Sequence, residues 1–79
     1  MWTVELEPEV EKWMLALPMS QFGLVLPLVE RLAEIGNQMS FPHSKSLGAG
    51  LFELRFNNAN QTWRITYYFA DDRRIVLLT

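Results

Sequence analysis

The stretch that decides the fold runs from Leu47 to Tyr68 and reads LGAGLFELRFNNANQTWRITYY. Two runs of alternating apolar and polar residues flank a cluster of turn-forming residues at 57–62. Alternation with a period of two is typical of β-strands, and a turn cluster between two such runs predicts a hairpin with a longer loop. The sequence therefore predicts an antiparallel hairpin at the centre of the fold.

The apolar side of this hairpin predicts its register. If Asn57 faces Thr62 across the turn, one face collects Phe52, Leu54, Phe56, Trp63, Ile65 and Tyr67. A slip of one residue would move charged side chains onto that face, so the pattern favours this alignment over its neighbours. We therefore expect the aromatic and aliphatic face to be the core side of a small sheet.

The same alignment places Arg55 directly opposite Arg64 on the other face of the hairpin. Like charges that face each other across two strands are destabilising, so the pair needs an explanation. One explanation is an anion, such as a phosphate, bound between the two guanidinium groups. The other is a surface ion pair with Glu53, which lies diagonal to Arg64. The residue pattern alone leaves both open.

Two amphipathic helices precede the hairpin. The first is predicted from Pro8 to Pro18, and the second from a capping Ser20 to about Gly36. The apolar stripe of the first helix consists of Val10, Trp13, Met14 and Leu17. Pro27 lies inside the second helix and predicts a kink or a break, because proline removes a backbone hydrogen bond and its ring clashes with the preceding turn.

Shorter segments complete the predicted fold. Residues 2–6 alternate and indicate a short edge strand, whereas residues 37–46 are predicted to be a polar connection. After that connection, Gly48 to Gly50 is predicted to be a flexible entry into the hairpin. Residues 75–79 are predicted to form a third antiparallel strand. The predicted fold class is α+β, with two N-terminal helices packed on a small antiparallel sheet.

The last turn determines which residues of the final strand face the core. If Asp71-Asp72 is a two-residue loop, Val76 and Leu78 join the core face. The other two strand residues then fall on the arginine face. The exposed apolar patch that results consists of Leu51, Ile75 and Leu77. A patch of this kind predicts self-association.

Composition limits the function classes. The chain has 79 residues, is 49% hydrophobic and contains no cysteine, which excludes a disulfide scaffold and a thiolate metal site. No apolar run approaches the ~18 to 20 residues that span a bilayer, and the amino end does not resemble a signal peptide, so we expect a cytoplasmic protein. His43, the single histidine, has no metal-binding partner type nearby and is predicted to be a surface loop residue. No metal or cofactor is expected.

The charge distribution is uneven. The net charge of −2 argues against a wholly basic nucleic-acid-binding domain. However, residues 1–34 contain six acidic and two basic side chains, whereas residues 36–79 contain three acidic and five basic ones. The basic share therefore lies on the hairpin side of the chain.

Three segments carry a resemblance to a known family. Residues 50–55, 64–69 and 74–78 read GLFELR, RITYYF and RIVLL, and they resemble the HigB-type branch of the RelE toxin superfamily. The resemblance covers most of the chain from Pro8 to Thr79. Members of that branch, many of phage origin, are toxins of type II toxin-antitoxin systems and act as ribosome-dependent mRNA endoribonucleases that need no metal. The resemblance implies a HigA-like helix-turn-helix antitoxin, the ribosome and mRNA as partners.

The resemblance also implies site residues. Arg64 would stabilise the phosphate and the transition state, Arg55 would be a second phosphate contact, and Lys45 would assist with the RNA backbone. Tyr68 would stack a base or take part in proton transfer, although packing on Ile75 explains it equally well. Lys45 is also explained as a solvated surface lysine.

The sequence departs from the family pattern after its last strand. Resembling toxins continue into a basic segment and a final helix, which supply further active-site residues, so residues 1–79 are expected to be a single RelE/HigB-like domain that is incomplete at its carboxy end. Whether the chain is an enzyme therefore stays open. The alternative function is a catalytically inactive toxin-like domain that acts only as an antitoxin-binding or structural module.

Overall fold

The computed structural model describes residues 1–40, 43–58 and 61–78. In these ranges the chain forms two α-helices, a short 3₁₀ helix and five strands. In chain order they are β1 (Thr3–Leu6), α1 (Pro8–Leu15), α2 (Met19–Ile35), the 3₁₀ helix (Gly36–Gln38), β2 (Ser44–Gly48), β3 (Leu51–Asn58), β4 (Gln61–Ala70) and β5 (Arg74–Leu77).

The five strands form one mixed sheet in the order β1-β5-β4-β3-β2. β1 runs parallel to β5, and the other three pairs are antiparallel. Both helices contribute to a single hydrophobic core with the sheet. The predicted α+β class and the N-terminal edge strand are confirmed, and the parallel β1–β5 pair makes the sheet mixed rather than wholly antiparallel.

The hairpin register is confirmed. β3 and β4 pair from Leu51 opposite Tyr68 to Asn58 opposite Gln61, so Arg55 lies opposite Arg64 as predicted. The core face of this hairpin is aromatic: Phe52 stacks on Tyr67 with ring centroids 5.6 Å apart. The residues of the hairpin that are buried in the core are Leu54, Phe56, Ile65 and Tyr67.

The helices cover the core face of the sheet and differ from the prediction at their ends. α1 ends at Leu15, short of Pro18. α2 begins at Met19 with Pro18 as its N-cap residue, so the predicted cap at Ser20 is wrong. Pro18 ends one helix and leads directly into the next because proline is favourable only at the start of a helix.

Pro27 does not break α2, which is continuous from Met19 to Ile35. Val25 and Leu32, on either side of Pro27, are fully buried, while Pro27 itself is exposed. Packing of the apolar stripe on the sheet therefore holds the helix together against the loss of one hydrogen bond, since tertiary contacts supply most of the stability of a protein helix.

β2 was not predicted. The segment 37–46 was expected to be a polar connection, but Ser44–Gly48 pairs antiparallel with β3, with Ser44 opposite Leu54 and Lys45 opposite Glu53. The strand lacks an apolar alternation because it lies at the edge of the sheet, and Ser44 is its one buried residue. Phe41 and Pro42, which belonged to that prediction, lie outside the described residues.

The Gly48–Gly50 segment is a tight turn between β2 and β3 rather than a flexible entry. Gly48, Ala49 and Gly50 have φ angles of 86°, 53° and 80°. Glycine adopts positive φ at little cost. The two glycines therefore explain how three consecutive residues with positive φ are accommodated in this turn.

The predicted register of the last strand is wrong by one residue. Ala70 pairs with Arg74, so the loop contains three residues, of which Asp72 and Arg73 have positive φ. A one-residue shift exchanges the two faces of a strand. Ile75 and Leu77 are therefore fully buried in the core rather than exposed. The predicted apolar patch of Leu51, Ile75 and Leu77 is therefore not formed, and the prediction of self-association loses its basis.

This register can be tested by two leucine substitutions. We expect Leu77→Ala to lower the free energy of unfolding by ~2 to 5 kcal/mol, because Leu77 is fully buried. Leu51→Ala is the matched control, and it should cost less than ~1 kcal/mol because Leu51 is exposed. Chemical denaturation measures both, and equal costs would contradict the register.

The amino end is fastened to the end of α2 through Trp2. The Trp2 backbone N–H donates to the Ala33 carbonyl at 2.8 Å. The Trp2 ring packs against Phe69 with centroids 5.0 Å apart, and the Arg73 guanidinium lies 4.6 Å from the ring centroid. Gly36 is buried beneath this ring with a φ of 52°.

Gly36→Ala is expected to be strongly destabilising. A Cβ at this position would overlap the Trp2 indole, which cannot move without losing its contacts, and a positive φ is unfavourable for alanine. We expect a loss of about 3 kcal/mol or more in thermal or chemical unfolding. Gly23→Ala, in the middle of α2 with open space around it, is the control and should be neutral or slightly stabilising.

Candidate functional site

The face of the sheet opposite the helices carries the residues that the sequence singled out. We call it the open face, because the helices pack on the other side. Side chains alternate along each strand, and β2, β3 and β4 place on this face Lys45, Leu51, Glu53, Arg55, Arg64, Thr66 and Tyr68. Every residue predicted for the site therefore lies on the open face.

Arg55, Glu53 and Arg64 form one contact group, which we call the Arg–Glu–Arg cluster. The Oε1 atom of Glu53 lies 3.6 Å from Nε of Arg55 and 3.4 Å from Nε of Arg64. The side chains of Glu53, Arg55 and Arg64 are 16%, 26% and 54% exposed. A single carboxylate oxygen thus lies between the two arginines, and the ion pair considered for Arg64 also includes Arg55.

The local charge of this region is opposite to that of the whole protein. Two arginines and one glutamate give the cluster an excess of one positive charge, and the exposed Lys45, directly across from Glu53 on β2, adds another. An arginine offers up to five N–H donors in a planar fork, which suits phosphate oxygens. The cluster can therefore bind an anion that approaches from solvent, and Arg64 is its most exposed member.

Tyr68 lies on the same face but not in the cluster. It faces Leu51 on β3 and Val76 on β5, and it is half-buried. Tyr68 is four residues along β4 from Arg64, which corresponds to roughly 13 Å along a strand. Only a ligand that extends along the strand can contact both side chains.

A cleft opens beside Arg55, at the end of the hairpin nearest α2. Its volume is about 560 Å³, and its lining includes Arg55, Asn57, Thr62 and His43. The Arg55 backbone N–H donates to the His43 carbonyl at 2.8 Å. His43 is exposed, as predicted for a surface residue, but β2 also brings it to the same cleft as Arg55. This proximity could not be predicted from the sequence, because β2 itself was not predicted.

A buried hydrogen bond anchors the edge strand that carries Lys45. The Ser44 hydroxyl and the Tyr67 hydroxyl lie 2.5 Å apart in the core, which ties β2 to β4 across β3. Burial raises the pKa of the Tyr67 phenol above its ordinary value, and the hydrogen bond with Ser44 offsets part of that rise. This bond is the polar contact that fixes β2 against the core.

Two features are absent from the described residues, a cluster of metal-ligating side chains and a membrane-spanning helix. No three His, Cys, Asp or Glu side chains come together there as metal ligands would. None of the helices found there has the length and apolar character needed to cross a bilayer.

The comparisons with known proteins identify the family. The fold and the open face define a small α+β protein with an arginine-bearing sheet, and residues 12–79 match the family model described as Phage derived protein Gp49-like (DUF891). The chain belongs to this family of phage-derived proteins, which is associated with RelE and toxin-like proteins. Searches of the curated proteins and of the solved structures returned no match. The phage-related, toxin-like part of the resemblance is thereby confirmed.

The Ser44–Tyr67 anchor predicts an alkaline loss of stability. Below about pH 10 the phenol is neutral in both the folded and the unfolded chain, and its contribution is complete. Above about pH 10 the unfolded tyrosine ionises while the buried one stays neutral, so the free energy of unfolding falls until the pH passes the raised pKa of Tyr67. Unfolding measured between pH 8 and 12 should show this decline.

Tyr67→Phe tests the origin of that decline. We expect it to cost ~1 to 3 kcal/mol at neutral pH, because it leaves the buried Ser44 hydroxyl without its partner, and to reduce the alkaline decline. Tyr68→Phe, which removes an open-face hydroxyl, is the control and should keep the decline. An unchanged alkaline profile in Tyr67→Phe would show that another group causes it.

Proposed function

We propose that this protein is the toxin of a type II toxin-antitoxin system and a HigB-type, ribosome-dependent mRNA endoribonuclease of the cytoplasm. The observation that carries the proposal is the pair of opposed arginines, Arg55 and Arg64, on a sheet face that the helices leave open. Membership in a phage-derived, toxin-associated family supports the toxin role.

The proposed reaction is cleavage of RNA by its own 2′-hydroxyl. The 2′-oxygen loses its proton and attacks the adjacent phosphorus, the bond from phosphorus to the 5′-oxygen breaks, and the leaving 5′-oxygen takes up a proton. Negative charge accumulates on the phosphorane in between, and preorganised cations stabilise such charge strongly. Arg64 supplies this stabilisation in the proposal, with Arg55 as the second phosphate contact.

Lys45 and Tyr68 extend the proposed site along the open face. Lys45 lies across from Glu53 and contacts the RNA backbone in this scheme. Tyr68 lies too far along β4 to share one phosphate with Arg64, so the proposal assigns it to stacking a neighbouring base or to proton transfer at an extended substrate. The implied partners are the ribosome, its mRNA and a cognate HigA-like helix-turn-helix antitoxin.

The second candidate is a catalytically inactive toxin-like domain that only binds an antitoxin or serves as a structural module. The contact of Glu53 with both arginines favours it, because the carboxylate neutralises part of the charge that catalysis needs. The net charge of −2 also favours the inactive domain, because nucleic-acid-binding domains are usually basic.

Induced expression in bacteria separates the two candidates. We expect the wild-type chain to arrest growth and to cleave translated mRNA, and Arg64→Ala to lower cleavage by about 10²-fold or more, as for the loss of one transition-state donor. The side chain of Arg64 is 54% exposed, so its removal should leave thermal stability nearly unchanged. Arg31→Ala, an exposed arginine of α2, is the matched control and should retain activity.

Other outcomes would redirect the assignment. Soluble, folded wild-type protein with no effect on growth or mRNA would favour the inactive domain. A large drop in the melting temperature of Arg64→Ala would make Arg64 a structural residue.

A further inference from the structure

We infer that Glu53 is an internal competitor for phosphate at the arginine pair. In this inference its carboxylate holds Arg55 and Arg64 in place, and a phosphate group binds to the two arginines by displacing that carboxylate. The inference rests on the proposed function only in taking RNA as the source of the phosphate.

The contacts of Glu53 place it where a phosphate oxygen would bind. One atom, Oε1, contacts the Nε atoms of both arginines, at 3.6 Å and 3.4 Å. Carboxylate and phosphate oxygens are the same kind of acceptor for a guanidinium group, and both form charge-assisted hydrogen bonds with it. The protein therefore supplies its own anion at the point between the two positive charges.

The depth of the three side chains indicates which group is displaced. Glu53 is the least exposed of the three, and Arg64 is the most exposed. An anion that arrives from solvent meets Arg64 first and is then repelled by the carboxylate beneath it. β3 is paired on both sides, with β2 and with β4, so the backbone at Glu53 is fixed and displacement involves the side chain.

A carboxylate at this position also reduces the repulsion between the two arginines. Arg55 and Arg64 face each other across two strands, which is unfavourable for like charges, and Glu53 offsets the repulsion when no ligand is bound. The attraction between opposite charges at this separation is stronger near a protein surface than in bulk water, because the effective dielectric constant is lower there. The same interaction that stabilises the empty site thus opposes a second anion.

Another ion pair on the open face provides a comparison. Glu5 of β1 contacts Arg74 of β5 at 3.1 Å, and both side chains are substantially exposed. Arg74 faces Ala70 on one side and Thr3 on the other, so no second arginine lies across from it. Glu5 is therefore a suitable control for Glu53. It pairs with an arginine on the same face but lies outside the Arg–Glu–Arg cluster.

The test is the affinity of the full chain for inorganic phosphate, measured by calorimetric titration at constant ionic strength. Glu53→Gln keeps the shape of the side chain and removes its charge. We expect it to bind phosphate about tenfold more tightly than wild type, and its melting temperature without phosphate to fall, because the competing charge and the counter-ion are lost together. Glu5→Gln should leave phosphate affinity unchanged.

Additional variants test whether the gain in phosphate affinity arises at the arginine pair. Arg64→Ala in the Glu53→Gln background should abolish the gain in affinity, which locates it at the arginine pair. If Glu53→Gln does not fold, Glu53→Asp keeps the charge but withdraws the carboxylate by one methylene, and a smaller gain is expected. Phosphate affinity equal to or weaker than that of wild type in the folded variant would overturn the inference.

The phosphate measurement and mRNA cleavage are independent. Tighter phosphate binding in Glu53→Gln, with no cleavage by the wild-type chain, would support the inference and overturn the proposed nuclease. Cleavage by wild type with unchanged phosphate affinity in the variant would do the reverse.

Discussion

The pairing of β3 with β4 is the constraint on which the rest of the structure depends. Its register sends Leu54, Ile65 and Tyr67 to the helix side, where the core forms, and Arg55 and Arg64 to the other. Because the side-chain period of a strand is two, these assignments cannot be changed separately. The hydrophobic face that fixes the fold therefore also fixes the position of two opposed cations. The arginine-bearing open face is in this sense a consequence of core packing.

The elements that the sequence predicted correctly are those with a burial pattern of their own. The hairpin alternates strictly, and Val10 and Met14 of α1 repeat at helical spacing, so each element specifies its buried side. β2 has no such pattern, since Ser44 is its one residue in the core, and its place in the sheet depends on backbone pairing with β3 and on the Ser44–Tyr67 hydrogen bond. A strand that contributes a single hydroxyl to the core leaves almost no trace in a single sequence.

The register of the last strand was predicted wrongly for a different reason. Residues 75–78 are apolar without interruption, so either alignment buries two aliphatic side chains, and the choice rests on the length of the preceding loop. Asp72 and Arg73 both adopt positive φ, and the turn contains no glycine that would mark these positions in the sequence. The three-residue loop removed the predicted apolar patch and with it the basis for predicting self-association.

The candidate site likewise has one feature that the sequence pattern predicts and one that it does not. The opposition of Arg55 and Arg64 was predictable because it follows from register alone, whereas the contact of one Glu53 oxygen with both arginines depends on side-chain conformations that no spacing rule contains. If phosphate displaces Glu53 as inferred, the two explanations first given for the arginine pair, a bound anion and an ion pair, are alternative states of one site. In that inference the sheet has two needs, a counter-ion between the arginines when the site is empty and free N–H donors when phosphate binds. A glutamate between the arginines meets the first need without removing the donors required for the second.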